Sequence, residues 1–155
     1  MRNESSAKIA TPLLSGLAGA LVLTLIHETA RRTLDGAPRM DTLGRRSLAR
    51  GLEAVGIEPP SHDPLQAMAL AGDIVSNTLY YALVGVGSPE HAPLRGAVLG
   101  GAAGIGAVVL PPLLGLGRHP RGVTPRTKAM TFAWYLAGGL AAGVAYRGLA
   151  GMRQT

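Results

Sequence analysis

Residues 65–87 read LQAMALAGDIVSNTLYYALVGVG and contain a single charged side chain, that of Asp73. Three further stretches, 9–26, 96–117 and 129–146, contain no charged side chain at all. A helix that faces water needs a charged face, and about 20 consecutive apolar residues cross the core of a bilayer. These stretches therefore predict an all-α fold, an integral membrane four-helix bundle. The predicted spans are residues 9–31, 65–87, 94–117 and 129–146.

The composition of the whole chain agrees with a membrane protein. Hydrophobic residues make up 47% of the 155 residues, 22 more are glycine, and only 15% are charged. An average soluble domain is about 45–50% apolar with glycine included, so a soluble globular protein is excluded. Four spans and their connections use residues 1–155, which predicts a single membrane domain. Because the sequence has no cysteine, disulfides and thiol chemistry are excluded.

The net charge of +6 comes from Lys and Arg residues that flank the apolar stretches. Membrane topology and anionic lipid explain basic residues at such positions, so no nucleic-acid partner is expected. The first and third connections hold ten of these residues, and the tails with the second connection hold five. Cytoplasmic loops carry the excess of Lys and Arg, which predicts that both termini lie outside. Trp134 and Tyr135, early in the fourth span, are predicted to anchor it at the membrane interface.

The first connection contains a short amphipathic segment, residues 42–56. At about 100° per residue, its apolar side chains share one face, while Arg46 and Arg50 share another. This pattern predicts an interfacial helix that lies on the membrane surface and binds anionic lipid through the two arginines. A helix folded against the loop side of the bundle is an equally good interpretation.

Two prolines, Pro111 and Pro112, interrupt the third apolar stretch. A proline removes a backbone donor, and the residue before it avoids the helical region, which predicts that the third helix ends near Leu110. Residues 113–117 are then expected to complete the crossing as irregular backbone or to lie in the interface.

Glycines recur at every fourth residue in the third and fourth spans, at Gly96, Gly100 and Gly104 and at Gly139 and Gly143. In lipid, small residues stabilise helix pairs because they let two backbones approach and gain dispersion contacts. These glycine faces therefore predict close helix packing. Packing inside one chain is the favoured interpretation, and packing between the protomers of a homo-oligomer is the alternative.

A polar stripe runs along the second span. Its members Gln66, Asp73, Asn77 and Tyr80 lie within about 60° of one another around the helix axis. A carboxylate near the middle of a span is costly when it faces lipid, so Asp73 is expected to face the bundle. The stripe predicts a site for a proton, a cation or a small solute. The alternative is a structural hydrogen bond, with Asp73 protonated or bonded to a neighbouring helix.

His27 and Glu28, near the end of the first span, are the predicted partners of Asp73. In an up-and-down bundle they lie within ~7 Å of Asp73 in depth. Two carboxyl groups in a low dielectric would share one proton, which His27 could relay. The alternative is that Glu28 pairs with Arg31 or Arg32 on its own helix. The histidines lack the paired spacing of a metal motif, so no metal site is expected.

The order of several short features resembles the YagU-like family of small multi-pass bacterial inner-membrane proteins. An acidic residue, Glu28, closes the first span and is followed by a Pro-Arg pair, Pro38 and Arg39. The third span exits through Pro-Leu-Leu-Gly-Leu at residues 112–116. The resemblance implies an all-helical protein of the bacterial cytoplasmic membrane and implies little about its activity.

The sequence contains no Ser-His-Asp order, phosphate loop or nucleotide fingerprint, so neither an enzyme nor a cofactor is expected. The leading hypothesis is a polar intramembrane site between the first and second spans that binds or transports a proton, a cation or a small solute. The alternative is a non-catalytic membrane scaffold whose glycine faces and basic first connection bind lipid or protein partners.

Overall fold

The computed structural model of the protein describes residues 2–116 and 124–152. Within these residues every regular element is helical, and the predicted end of the third span, Gly117, lies outside them. Two short 3-10 segments, Ala82–Gly85 and Pro89–His91, flank the connection between the third and fourth α-helices. The α-helices are α1 (Arg2–Thr33), α2 (Met40–Ala54), α3 (His62–Tyr81), α4 (Ala92–Leu113) and α5 (Pro125–Gly151).

Four helical segments are long and apolar enough to cross a bilayer, as the charge-free stretches predict. Each is at least 24 residues long, whereas about 20 residues suffice. Many of their large apolar side chains point outward, including Leu25, Val75 and Val98. This arrangement indicates a membrane-embedded protein. The four segments are Ile9–Thr33, His62–Gly85, Pro89–Leu113 and Pro125–Gly151.

The helices pack side by side in the order α4, α5, α1, α3, with α2 resting on α3. The contact between α4 and α5 is the most extensive, and α1 packs against both α5 and α3. By contrast, α3 and α4 touch at few places. The assembly therefore has one open side, which forms a groove between α3 and α4.

The predicted glycine faces meet each other within the chain. A methyl group added at Gly96 would overlap the carbonyl oxygen of Gly139, and one added at Gly143 would overlap the backbone of Ala92. At Gly100 and Gly104 the added group would meet the α5 backbone at 2.5 and 2.9 Å. The absence of side chains thus allows α4 and α5 to pack backbone against backbone, which is the favoured interpretation of their spacing.

The helix α4 continues through Pro111 and Pro112 to Leu113, so the predicted earlier end is wrong. Gly115 adopts a left-handed φ of +64°. The N–H groups of Gly115 and Leu116 donate to the carbonyls of Pro112 and Pro111 at 3.2 and 3.0 Å. This glycine-terminated turn satisfies the last carbonyls of the helix. The prolines sit in its final turn, where their missing donors interrupt few helical bonds.

Candidate functional site

A cleft of about 50 Å³ lies where α1, α2 and α3 meet. This volume accommodates a few water-sized groups. Each of the three helices contributes polar side chains to its wall, and two of the contributing helices carry the predicted site residues. The lining residues are Thr24, His27 and Glu28 of α1, Met40, Asp41 and Gly44 of α2, and Gln66, Ala69, Leu70 and Asp73 of α3.

The Glu28 carboxylate is held by arginines of its own helix. Arg31 donates to both carboxylate oxygens, from Nε at 2.8 Å and from Nη2 at 2.5 Å. Arg32 donates a longer hydrogen bond of 3.3 Å. The pairing within α1 is therefore the one that forms, and Glu28 does not share a proton with Asp73. The reason is geometric, because residues three and four apart on a helix are already neighbours.

Asp41, which no pattern in the sequence singles out as a site residue, is the second carboxylate on the cleft that arginines neutralise. Arg39 donates to both of its oxygens at 3.2 and 3.3 Å, and Arg45 lies 3.9 Å away. Burial raises the pKa of Asp41, but the Arg39 hydrogen bond and charge, the Thr42 N–H and the Arg45 charge together lower the pKa below its ordinary value. Asp41 thus remains an anion at neutral pH.

Arg45 joins α2 to α3 across the mouth of the cleft. Its guanidinium donates to the side-chain oxygen of Gln66 while facing Asp41. Gln66 is therefore occupied as an acceptor, and its role in the cleft is to hold α2 in place. Nothing in the sequence spacing indicated this contact, because the length of the first connection leaves the position of α2 undetermined.

Asp73 is half-buried on the cleft wall and contacts a neutral partner. The side-chain nitrogen of Asn77 donates to its carboxylate at 3.0 Å and to its backbone carbonyl at 2.9 Å. No salt bridge to Asp73 forms within the described residues. Among the three carboxyl groups that line the cleft, that of Asp73 alone has no arginine partner within the described residues.

His27 is 9% exposed and packs edge-on against two aromatic rings of α5. The ring centroids of Trp134 and Tyr135 lie 5.2 and 5.8 Å from that of His27. Tyr135 is 8% exposed, so its predicted role as an interfacial anchor is wrong. Within the described part of the chain, the buried Nε2 of His27 and the hydroxyl of Thr24 have no hydrogen-bond partner.

The polar stripe of α3 faces two different cavities. Gln66 and Asp73 line the cleft, whereas Asn77 and Tyr80 line the groove between α3 and α4. The Tyr80 hydroxyl donates to the carbonyl of Leu99 on α4 at 2.9 Å. The hydrogen bond between Asp73 and Asn77 therefore lies at the junction of the two cavities.

The two arginines predicted to bind the membrane surface, Arg46 and Arg50, are exposed and reach the end of α4. They donate to the carbonyl oxygens of Leu116 and Leu114, each at 3.3 Å. Together with the packing of α2 on α3, these contacts place the first connection at the same end of the molecule as the end of α4. The contacts of α2 therefore agree with the second interpretation of its sequence, a helix folded against the bundle.

Within residues 2–116 and 124–152, no group of three or more His, Asp or Glu side chains is arranged to hold a metal ion. No known protein family, curated protein sequence or solved structure matches the chain. The resemblance to YagU-like proteins therefore remains a prediction.

Proposed function

We propose that this chain is a membrane-embedded protein that binds a proton or a small monovalent cation at Asp73 and transfers it along α3. The observation that carries the proposal is the position of Asp73, whose carboxylate faces the cleft with only an amide partner. An intramembrane carboxylate is costly to maintain, and such residues commonly mark ion or proton pathways.

The charges around the cleft favour this reading. Arg31 and Arg32 neutralise Glu28, and Arg39 with Arg45 neutralises Asp41. The negative charge that remains on the cleft wall belongs to Asp73. A proton or a small cation compensates it without requiring any rearrangement of the existing salt bridges.

His27 supplies a second group able to exchange protons. Its buried Nε2 has no partner among the described residues, and a neutral imidazole nitrogen accepts a proton. Thr24, one helical turn earlier on α1, adds a hydroxyl that lacks a partner in the same part of the chain and can hydrogen-bond a passing group. Both line the cleft together with Asp73, so that His27 and Asp73 are two proton acceptors on one wall.

Asn77 links this cleft to the groove on the other side of α3. It donates to Asp73 and lines the groove, one helical turn further along the helix. A proton or cation released from Asp73 therefore has a polar path toward the groove. Tyr80 continues that path on the groove wall.

A proton or a monovalent ion fits the ligands better than a divalent metal does. Calcium takes six to eight oxygen ligands, and magnesium demands a near-octahedral set. The cleft offers one uncompensated carboxylate. We also propose binding and transfer instead of catalysis, because the Thr24 hydroxyl forms no hydrogen bond to His27 or to a carboxylate among the described residues.

The proposed location is the bacterial cytoplasmic membrane, with the first and third connections inside and α2 along the interface. The excess of Lys and Arg in these two connections supports this orientation. The contacts of Arg46 and Arg50 with the end of α4 support it further, since they bring both basic connections to one end of the molecule.

Proton flux into liposomes tests the proposed function. The purified chain is reconstituted with a trapped pH-sensitive dye, and an inward proton gradient is imposed. Asp73→Asn is expected to reduce the flux to that of protein-free liposomes. Asp63→Asn is the matched control, because Asp63 lies on the same helix with a fully exposed side chain, and it is expected to retain wild-type flux. A trapped sodium- or potassium-sensitive dye, with a gradient of that ion, covers small cations.

Unchanged flux in a correctly folded Asp73→Asn protein would overturn the proposal, as would the absence of wild-type flux for every ion tested. The alternative function, a scaffold for protein or lipid partners, was expected to use the glycine faces of α4 and α5. Those faces contact each other inside the chain. The basic helix α2 is therefore the remaining feature that favours a scaffold.

A further inference from the structure

The groove between α3 and α4 has a volume of about 490 Å³. Ligand sites in proteins commonly measure about 300–1,000 Å³. One wall is built from small residues of α4, such as Ala103, Gly106 and Ala107. The other wall carries Asn77 and Tyr80 of α3. The groove is therefore large enough for a ligand and largely apolar along its α4 wall.

The groove has the length of one leaflet. Its lining on this side begins at Ala102 of α4 and continues past the helix end to Leu114 and Leu116. The helical part, from Ala102 to Leu113, measures about 17 Å at 1.5 Å per residue. The hydrocarbon core of a bilayer is about 30 Å thick, so one leaflet measures about 15 Å. A single acyl chain that enters from the helix end matches this depth.

Positive charge lies at the same end of the groove. Arg46 and Arg50 donate to the carbonyls of Leu116 and Leu114, and both of these leucines line the groove. Neither arginine forms a salt bridge within the described residues. A guanidinium has five N–H donors, and each of these two uses one in its contact with a carbonyl. The remaining donors are suited to a phosphate, which arginine binds through two parallel hydrogen bonds.

We propose that the groove binds one acyl chain of an anionic phospholipid whose phosphate lies against Arg46 and Arg50. The apolar groove accommodates the chain, and the arginines select the headgroup by charge. The proposed path from Asp73 leads into the same groove through Asn77. The lipid site is argued from Arg46, Arg50 and the α4 wall alone, so it does not depend on whether protons or cations are transferred. It also assigns a function to the weak contact between α3 and α4, because a bound chain fills the space between them.

Native mass spectrometry of the full chain in detergent tests the proposal by counting bound lipids. The lipids are dioleoyl phosphatidylglycerol, which is anionic, and dioleoyl phosphatidylcholine, which has the same acyl chains and no net charge. The first phosphatidylglycerol is expected to bind the wild-type chain more tightly than the first phosphatidylcholine. Each arginine near an anionic lipid surface contributes about fivefold in affinity.

Two variants separate the headgroup from the acyl chain. The double variant Arg46→Gln, Arg50→Gln is expected to abolish the preference for phosphatidylglycerol. Arg147→Gln is the control and is expected to keep the preference, because Arg147 lies near the C-terminal end of α5, far from the end of α4. Gly106→Leu is expected to weaken the first binding step of both lipids, because its side chain occupies the groove. A Cβ at Gly106 meets only the end of the Leu110 side chain, at 3.5 Å, so the variant is expected to fold. Gly148→Leu is the matched control, because nothing lies within 4 Å of a Cβ placed at Gly148.

Three results would overturn the proposal. The first is equal binding of the two lipids to the wild-type chain. The second is displacement by inorganic phosphate combined with no effect of Gly106→Leu, which would mean that the arginines bind a free anion. The third is a wild-type dimer that Gly106→Leu dissociates, which would make the groove an interface between two copies.

Discussion

The side-chain amide of Asn77 donates a 3.0 Å hydrogen bond to the carboxylate of Asp73, one helical turn away, although the two residues line different cavities. Asn77 therefore does more than satisfy an intramembrane acid. It holds the Asp73 side chain at the junction between the cleft of α1, α2 and α3 and the groove of α3 and α4. A residue with this position is expected to affect transfer through Asp73 more than it affects folding.

Replacing Asn77 with leucine tests this role. The variant removes the hydrogen bond to Asp73 while keeping a side chain of similar size. Proton flux in liposomes is expected to fall about tenfold, which corresponds to the loss of one hydrogen bond to a charged group. Ser76→Ala serves as the control, because Ser76 bonds only the backbone carbonyl of Asp73. Equal flux in the two variants would show that the Asn77 amide takes no part.

His27→Phe separates the packing of the imidazole ring from its chemistry. Phenylalanine retains an aromatic ring against Trp134 and Tyr135 and eliminates a buried nitrogen that has no partner among the described residues. The free energy of unfolding is expected to change by less than about 1.5 kcal/mol, while proton flux decreases. Unfolding is followed by circular dichroism in increasing SDS, with His62→Phe as the exposed control. Full flux in His27→Phe would exclude the imidazole from the pathway.

A methyl group at Gly139 is expected to separate α4 from α5. In Gly139→Ala the new Cβ would overlap the carbonyl of Gly96 and lie 2.8 Å from the Gly100 backbone. Overpacking of this kind lowers the free energy of unfolding by about 1–3 kcal/mol. At Gly148, where nothing lies within 4 Å, the same substitution is expected to raise it by about 0.5–1 kcal/mol. The SDS unfolding assay measures both, and equal effects would contradict the close packing.

Acid is expected to weaken the ion pairs that Asp41 forms with Arg39 and Arg45 at the start of α2. The pKa of Asp41 is lower in the folded protein than its ordinary value of about 3.9. Its ion pairs with Arg39 and Arg45 therefore contribute stability above about pH 4, and this contribution is lost as the pH falls through the lower, folded pKa. The Tm of Asp41→Asn should lie below that of the wild type at pH 7, and the difference should vanish in stronger acid. Asp35→Asn, at an exposed position, is the control, and a difference independent of pH would contradict the assignment.

The spans and the glycine faces are predictable from sequence because both depend on local chemistry. Charge is excluded from a bilayer core over a fixed length, and a spacing of four residues places Gly96, Gly100 and Gly104 on one helix face. Helix ends are less predictable, as Pro111 illustrates. A proline disfavours helix because it lacks an N–H and its ring crowds an earlier carbonyl, but two prolines in the last turn do not end α4. The turn at Gly115 then satisfies the carbonyls of Pro111 and Pro112.

The site is only partly predictable. The depth of His27, Glu28 and Asp73 in an up-and-down bundle follows from the lengths of their helices, and all three line the same cleft. The choice of partner does not follow, because Glu28 has arginines along its own helix and the carboxyl group of Asp73 on the same cleft. Tyr135 shows the same limit, since an aromatic residue early in a span suits either the interface or the core.

By itself, the sequence determined that this protein has four apolar helices and that two of them pack through glycine. It also determined that the second apolar helix carries a polar stripe. These features depend on residues close together along the chain. Only the tertiary structure decided that no arginine pairs with Asp73 within the described residues, that α2 closes the cleft, and that α3 and α4 stand apart. These depend on contacts such as that of Arg45 with Gln66 and of Arg50 with Leu114, which form between segments whose relative position no local spacing specifies.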